Sequence, residues 1–138
     1  MISKSDKETK EFAKDLINNL KGPTVLALEG ELGAGKTTFV QGLAAELGVE
    51  KRVLSPTFVF LRSYGLKNSS FKKFHHFDLY RCTSIEDVKS IGFEEVLQEE
   101  NSLVVIEWPE VARTLLTENI LWVRFKKLGE NEREIEVS

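Results

Sequence analysis

The segment GELGAGKTTF, residues 30–39, constrains the fold of this chain more than any other stretch. It carries the pattern G-x-x-x-x-G-K-[ST], in which a glycine-rich turn leads into a helix. Backbone N–H groups converge on one concavity in such a turn, because glycine adopts positive φ without steric cost. The helix adds its unpaired N–H groups and the positive end of its dipole. The pattern therefore predicts a phosphate-binding loop between a strand and a helix.

The residues on either side of the loop fit this prediction. The apolar run TVLALE, 24–29, is typical of a buried strand, and KTTFVQGLAAEL, 36–47, has its apolar residues at helical spacing, with Gly48 expected to end the helix. Lys36 is expected to reach the β- and γ-phosphates, and the Thr37 hydroxyl to ligate Mg²⁺. The residues expected to contact the nucleotide in this loop are Glu31, Leu32, Gly33, Ala34, Gly35, Lys36, Thr37 and Thr38.

The rest of the chain reads as alternating helices and strands. A capping pattern at Ser5–Glu8 precedes a helix, and Gly92 interrupts two short helices within 83–100 that begin with Thr83 or Ser84 as N-cap. Further predicted elements are strands at 58–64, 71–80 and 102–107, a helix at 109–116, and an antiparallel hairpin formed by 119–128 and 133–138. This order predicts an α/β protein with a three-layer P-loop NTPase fold, a mostly parallel central sheet and antiparallel additions.

Composition limits the classes of protein to which the chain can belong. With 138 residues, 41% of them hydrophobic, and no recognisable linker, residues 1–138 are expected to form a single domain. No apolar run approaches the ~20 residues that span a bilayer, so we expect no membrane partner. The lone Cys82 and the absence of a signal-peptide core favour the cytoplasm. The net charge of −3 argues against direct binding to DNA or RNA, so any role with nucleic acid is expected to be indirect.

Two acidic residues are candidates to complete the phosphate site. Glu107 closes the apolar run SLVVIE, and Asp78 lies near the end of its own predicted strand. Ligands of open α/β sheets bind at the carboxyl ends of the strands. One carboxylate could hold Mg²⁺ through its water shell while the other orients the attacking water. Alternatively, each residue could be a solvated acid at the end of a strand. Burial of the strand disfavours this alternative for Glu107, and it stays open for Asp78.

Three further features leave alternatives open. Thr57 in SPTF, 55–58, suits a switch that senses the γ-phosphate, or simply belongs to a turn before the next strand. His75 and His76 resemble a metal-binding pair, but neighbours in a strand point to opposite faces, so no zinc site is expected. Trp108 follows Glu107 directly and belongs either to the core or beside the nucleotide.

Four motifs taken together resemble the TsaE (YjeE) family over essentially the whole chain. They are GELGAGKTTFVQGL, SPTF, HHFDLYR and IEWPE, in this order. The resemblance implies an ATPase subunit that works with TsaB and TsaD to make N6-threonylcarbamoyladenosine next to the anticodon of tRNA. The tRNA would then be met through the complex. By matching motif, it implies that Lys36 and Thr37 contact phosphate and Mg²⁺, that Thr57 is switch-like, and that Trp108 neighbours the nucleotide. It also implies that Asp78 and Glu107 form the acidic pair.

Two other protein classes share a P-loop. A small-molecule or nucleoside kinase needs an arginine-bearing lid over its acceptor pocket, and the acidic stretch 81–100 offers only Arg81. A GTP-dependent switch would carry an N-K-x-D sequence, which is absent, so ATP with Mg²⁺ is the expected ligand. Arg81, Arg113 and Arg124 lie near the motifs, but none has an evident place over the phosphates. We therefore expect slow ATP hydrolysis by the isolated protein and stimulation by its partners.

Overall fold

A seven-stranded sheet forms the middle layer of the protein, in a computed structural model that describes residues 1–49, 59–67, 69–116 and 119–138. In chain order the strands are β1 (Ile2–Ser3), β2 (Val25–Glu29), β3 (Leu61–Gly65), β4 (Lys73–Asp78), β5 (Ser102–Glu107), β6 (Ile120–Lys127) and β7 (Arg133–Val137). Their spatial order is β1-β7-β6-β2-β5-β4-β3. Strands β6, β2, β5 and β4 run parallel, while β1, β7 and β3 are antiparallel to their neighbours. The predicted mixed sheet is thus confirmed.

The helices begin and end at residues that the sequence marks. They are α1 (Asp6–Asn18), α2 (Lys36–Glu46), α3 (Ile85–Ser90), α4 (Phe93–Leu97) and a 3-10 helix (Pro109–Leu115). The Ser5 hydroxyl accepts a hydrogen bond of 3.1 Å from the backbone N–H of Glu8, so the capping pattern is confirmed. Ser84 rather than Thr83 caps α3. Gly48 follows α2 with a φ of 82°, as a left-handed helix stop requires.

Two apolar clusters cover the two faces of the sheet, because successive strand residues point to opposite sides. One cluster packs α1 and α2 against β-strand residues that include Phe74, and the other packs α3, α4 and the 3-10 helix against residues that include Phe77. Helices α1 and α2 approach closely at Gly42, where a Cβ atom would lie 2.8 Å from the Cα of Lys10. The three-layer arrangement is confirmed, and it places the loop before α2 at the carboxyl edge of the parallel strands.

The structure differs from the prediction mainly at the edges of the sheet. The described part of β3 begins at Leu61 and β4 spans only Lys73–Asp78, shorter than predicted. The predicted segment 55–58, with Thr57, lies outside the described residues. Strand β1 was not predicted, because two residues are too few to show an alternating pattern. No helix among the residues that the structure describes is long and apolar enough to cross a membrane.

Candidate nucleotide-binding site

A cavity of about 300 Å³ opens where the glycine-rich loop meets the carboxyl ends of β4 and β5. Strand β2 leads directly into the loop, and β5 and β4, the next two parallel strands on one side of β2, end beside it, so the topology assembles the cavity from distant parts of the chain. The lining residues are Asp6, Leu32, Gly33, Gly35, Lys36, Thr37, Thr38, Asp78, Glu107, Trp108 and Arg133. Most of the residues predicted for the site therefore surround one concavity.

The loop reaches this conformation through Gly35, the N-cap of α2. Its φ of 102° lies in the left-handed region, and a Cβ atom there would overlap the guanidinium group of Arg133. Glu31 and Ala34 do not line the cavity: the side chain of Ala34 is buried in the apolar cluster beneath the loop.

The Lys36 ammonium group is bound to the protein itself. Its Nζ donates a hydrogen bond of 2.5 Å to the carbonyl of Gly30 and lies 3.7 Å from the centre of the Trp108 ring. Burial lowers the pKa of Lys36, while the negative charges of Glu107, Glu110 and Asp78 raise it and only partly offset the burial. The ammonium group thus sits at the cavity wall among its counter-ions and can turn towards an incoming phosphate.

The two predicted acids lie side by side. Asp78 ends β4, Glu107 ends β5, and the two residues are direct partners in the parallel register. They are 4% and 3% exposed, so both carboxyl groups are held at the cavity rather than in bulk water. Asp78 Oδ1 accepts a hydrogen bond of 3.0 Å from the backbone N–H of Tyr80. The strand ends therefore present two carboxylates to the space in front of Lys36 and Thr37.

These groups fit a magnesium ion by the chemistry of their donors. Mg²⁺ keeps several waters and takes only one or two protein carboxylates together with substrate phosphates. The Thr37 hydroxyl, Asp78 and Glu107 supply such a donor set beside a phosphate-binding loop. Across the described residues there is no cluster of three or more His, Cys, Asp or Glu side chains that could hold a metal by itself.

The two histidines point to opposite faces of β4, as predicted. His76 is fully buried and its Nε2 lies 2.5 Å from Glu107 Oε2. His75 contacts Ser63 Oγ through Nδ1 at 2.7 Å and Glu99 Oε1 through Nε2 at 3.2 Å, away from the cavity. The contact between His76 and Glu107 was not predicted, because it depends on β4 and β5 being neighbours in the sheet.

Trp108 borders the cavity rather than the core. It adopts a left-handed backbone conformation with a φ of 56°, immediately after Glu107. Its ring packs on the Tyr80 ring with 5.0 Å between ring centroids, and the Lys36 ammonium group lies over the Trp108 ring. Trp108 therefore lies at the wall of the cavity and belongs to neither apolar cluster.

The arginine at the cavity is one that the sequence did not single out. Arg133 begins β7, lies against Gly35 and places its Nη2 3.3 Å from Asp6 Oδ1. Pairing of β1 with β7 brings both residues to the loop. Arg113 and Arg124 instead lie near Glu29 and the Trp122 ring, exposed outside the cavity. Arg81 is also exposed and does not line it.

Comparisons with known proteins give consistent similarities over nearly the whole chain. The sequence model of the family described as threonylcarbamoyl adenosine biosynthesis protein TsaE matches residues 3–135. The tRNA threonylcarbamoyladenosine biosynthesis protein TsaE of Rickettsia typhi is 40% identical over 130 residues, covering 94% of this chain and 87% of the relative. The Bacillus subtilis protein of the same name is 36% identical over 128 residues, covering 93% and 77%. The crystal structure of Bacillus subtilis YdiB superposes with a TM-score of 0.76 at 31% identity, covering 98% of this chain and 80% of that one.

Proposed function

The chain belongs to the TsaE family of threonylcarbamoyl adenosine biosynthesis proteins, and from that premise we propose that it binds ATP with Mg²⁺ in the described cavity and hydrolyses the ATP. Membership of the family implies a nucleotide-binding protein that acts in modification of tRNA. The observation that supports hydrolysis is the pair of buried strand-end carboxylates, Asp78 and Glu107, facing the loop that carries Lys36. We further propose that residues 1–138 form one domain that works in the cytoplasm.

Each residue has a role that follows from its position. Backbone N–H groups of the loop and the N-terminus of α2 bind the phosphates, and Lys36 turns from the Gly30 carbonyl to the β- and γ-phosphates. Thr37 and one carboxylate would hold Mg²⁺, and the other carboxylate would orient the attacking water. When bound, Mg²⁺ neutralises charge on the phosphate oxygens. Trp108 closes the side of the cavity next to Glu107.

A kinase is not favoured by the family or by the site. Phosphoryl transfer to a second substrate needs an acceptor pocket and a lid that excludes water. The stretch 81–100 forms α3 and α4, which pack in the apolar cluster on the face of the sheet opposite to α2. Those two helices are therefore part of the core and do not form a lid over the cavity.

We propose that hydrolysis is slow in the isolated protein and rises when TsaB and TsaD bind, with tRNA met through that complex. Arg133 lines the cavity, but it is paired with Asp6 and packed on the loop backbone. A cation supplied by a partner can stabilise the γ-phosphate and raise hydrolysis by ~10³–10⁵. The net charge of −3 is consistent with a subunit that does not bind the RNA itself and whose partners bind it instead.

Glu107→Gln tests the assignment of hydrolysis. The variant keeps the size of the side chain and an acceptor for His76 but removes the negative charge. We expect ATP still to bind, with a smaller gain in affinity from Mg²⁺, and phosphate release to fall at least ~10-fold, because a positioned carboxylate contributes ~10²–10⁴ in rate. Glu99→Gln is the matched control, since Glu99 also bonds a buried histidine of β4 but on the other face of the sheet. Unchanged hydrolysis by Glu107→Gln would move the main role to Asp78.

A second measurement tests the partners. Steady-state phosphate release is followed with and without a TsaB–TsaD assembly, in the wild type and in Thr57→Ala. We expect stimulation of the wild type and weaker stimulation of the variant. Fast release by the isolated protein, unaffected by the assembly, would contradict the proposed dependence on partners.

A further inference from the structure

We propose that His76 is a positioning residue that holds the Glu107 carboxylate in the orientation needed at the Mg²⁺ end of the cavity. The inference rests on the proposed binding of ATP with Mg²⁺. It assigns a role to His76, which does not line the cavity and was not among the residues predicted for the site. Its basis is the geometry of one buried hydrogen bond.

The bond joins two groups that are both removed from water. His76 Nε2 lies 2.5 Å from Glu107 Oε2, with the two side chains 0% and 4% exposed. A carboxylate only accepts hydrogen bonds, so Nε2 of His76 carries the shared hydrogen. A hydrogen bond to a charged acceptor in such a setting is about twice as strong as a neutral one. Without it, the Glu107 carboxylate would be buried with one donor fewer, which is costly.

The imidazole ring is itself held in place by packing. Phe74, two residues earlier on the same face of β4, stacks on the His76 ring with an interplanar angle of 8° and 6.3 Å between centroids. Arg62 of β3 is the direct register partner of His76 on the other side. The terminal torsion of a glutamate side chain is soft, so a fixed donor at Oε2 sets the plane of the carboxylate. The second oxygen, Oε1, is then left for the water shell of the metal.

The contrast with His75 separates positioning from a purely structural role. His75 is anchored at both ring nitrogens, by Ser63 and by Glu99. Within the described residues the buried Nδ1 of His76 has no hydrogen-bond partner, so its polar contact is concentrated on Glu107. An apolar side chain would fill the same space without the free-energy cost of burying a ring nitrogen that has no hydrogen-bond partner. Packing alone therefore does not explain a histidine at this position. The bond to Glu107 supplies the reason.

Three variants test the inference. In His76→Gln the side-chain amide reaches the place of imidazole Nε2 and can still donate to Glu107. In His76→Asn the amide ends near the place of Nδ1 and cannot reach it. His75→Asn is the matched control, a nearly buried histidine of the same strand whose carboxylate partner, Glu99, lies away from the cavity.

The main readout is the gain in ATP affinity that Mg²⁺ produces. Calorimetric titration gives the ATP dissociation constant with Mg²⁺ and with EDTA, and the ratio of the two constants measures the gain. Loss of a partner that orients a metal-binding carboxylate costs typically ~10–100-fold in metal affinity. We therefore expect His76→Asn to lower the gain by at least ~10-fold while the constant in EDTA stays within about threefold of wild type. His76→Gln and His75→Asn should keep the gain within about threefold.

A double-mutant cycle shows whether His76 acts through Glu107. In the Glu107→Ala background the carboxylate is gone, so His76→Asn should not lower the gain further. The inference would be overturned if His76→Asn retained the Mg²⁺-linked gain, or if His76→Gln lost as much of the gain as His76→Asn. Neither result would contradict the proposed ATP site. An equal loss in His75→Asn would also overturn the inference, because the effect would then be general destabilisation of β4. A wild type without any Mg²⁺-linked gain would overturn the proposed function and this inference together.

Discussion

Replacement of Lys36 by alanine is the most direct test of the phosphate-binding loop. The change removes the ammonium group that now donates to the Gly30 carbonyl and lies over the Trp108 ring. A hydrogen bond to a charged group contributes about 1.5–3 kcal/mol, which corresponds to one to two decades in a dissociation constant. Because Lys36 would exchange its contacts with the Gly30 carbonyl and the Trp108 ring for contacts to phosphate, the observed loss is a difference, and we expect it in the lower part of that range.

The comparison of two nucleotides sharpens this prediction. Lys36 is expected to contact both the β- and the γ-phosphate, so Lys36→Ala should weaken ATP more than ADP. Calorimetric titration of both nucleotides at one Mg²⁺ concentration measures the two losses. Lys127→Ala, an exposed lysine at the end of β6, is the control for the loss of one positive charge. A folded Lys36→Ala protein that binds ATP with wild-type affinity would refute the assignment of the loop.

Three further predictions follow from single contacts. Burial lowers the pKa of Lys36 below its ordinary 10.5, so just below pH 10.5 the unfolded chain binds more protons than the folded protein does. The free energy of unfolding should therefore receive a contribution from Lys36 that increases with pH in this range. Urea titrations at several pH values should show this contribution in the wild type and not in Lys36→Met. Gly35→Ala places an alanine in the left-handed conformation and pushes its Cβ atom against Arg133. We therefore expect the free energy of unfolding, measured by thermal denaturation, to fall by at least ~1–2 kcal/mol, and ATP to bind more weakly. Burial raises the pKa of the Cys82 thiol, with Asp87 and Asp78 adding to the effect, so a thiol reagent at neutral pH should react slowly until urea unfolds the protein.

Local features of the fold were predictable because they depend on neighbouring residues. The Ser5 cap, the left-handed stop at Gly48 and the glycine-rich turn before α2 each involve groups within a few residues of one another. The position of Asp78 and Glu107 at strand ends was also predictable, since Glu107 closes an apolar run and Asp78 lies near the end of its own predicted strand. Their direct pairing in the register additionally required β4 and β5 to be neighbours, which the sequence does not specify.

Long-range contacts at the cavity could not be read from the sequence. His76 meets Glu107 across 31 positions, and Arg133 meets Asp6 across 127. Both contacts depend on strand order: β4 beside β5 in the first case, β1 beside β7 in the second. The arginines that the sequence favoured, by contrast, were chosen for closeness to motifs along the chain. Closeness in sequence is a poor guide to a cavity built from the ends of strands.

The charges around Lys36 support the proposal that Mg²⁺ binds at this site together with the nucleotide. A nucleotide triphosphate carries several negative charges into a cavity that already holds Asp78 and Glu107, with Glu110 close enough to act on Lys36. At short range in a poorly solvated cavity, each of these like charges opposes binding. The loop N–H groups and one ammonium group would offset part of this repulsion, and Mg²⁺ held by the carboxylates would supply further positive charge to offset the rest. On the proposed function, the acids that weaken binding of bare nucleotide would be the groups that make binding depend on Mg²⁺, and the orientation of Glu107, held by His76, would set how strong that dependence is.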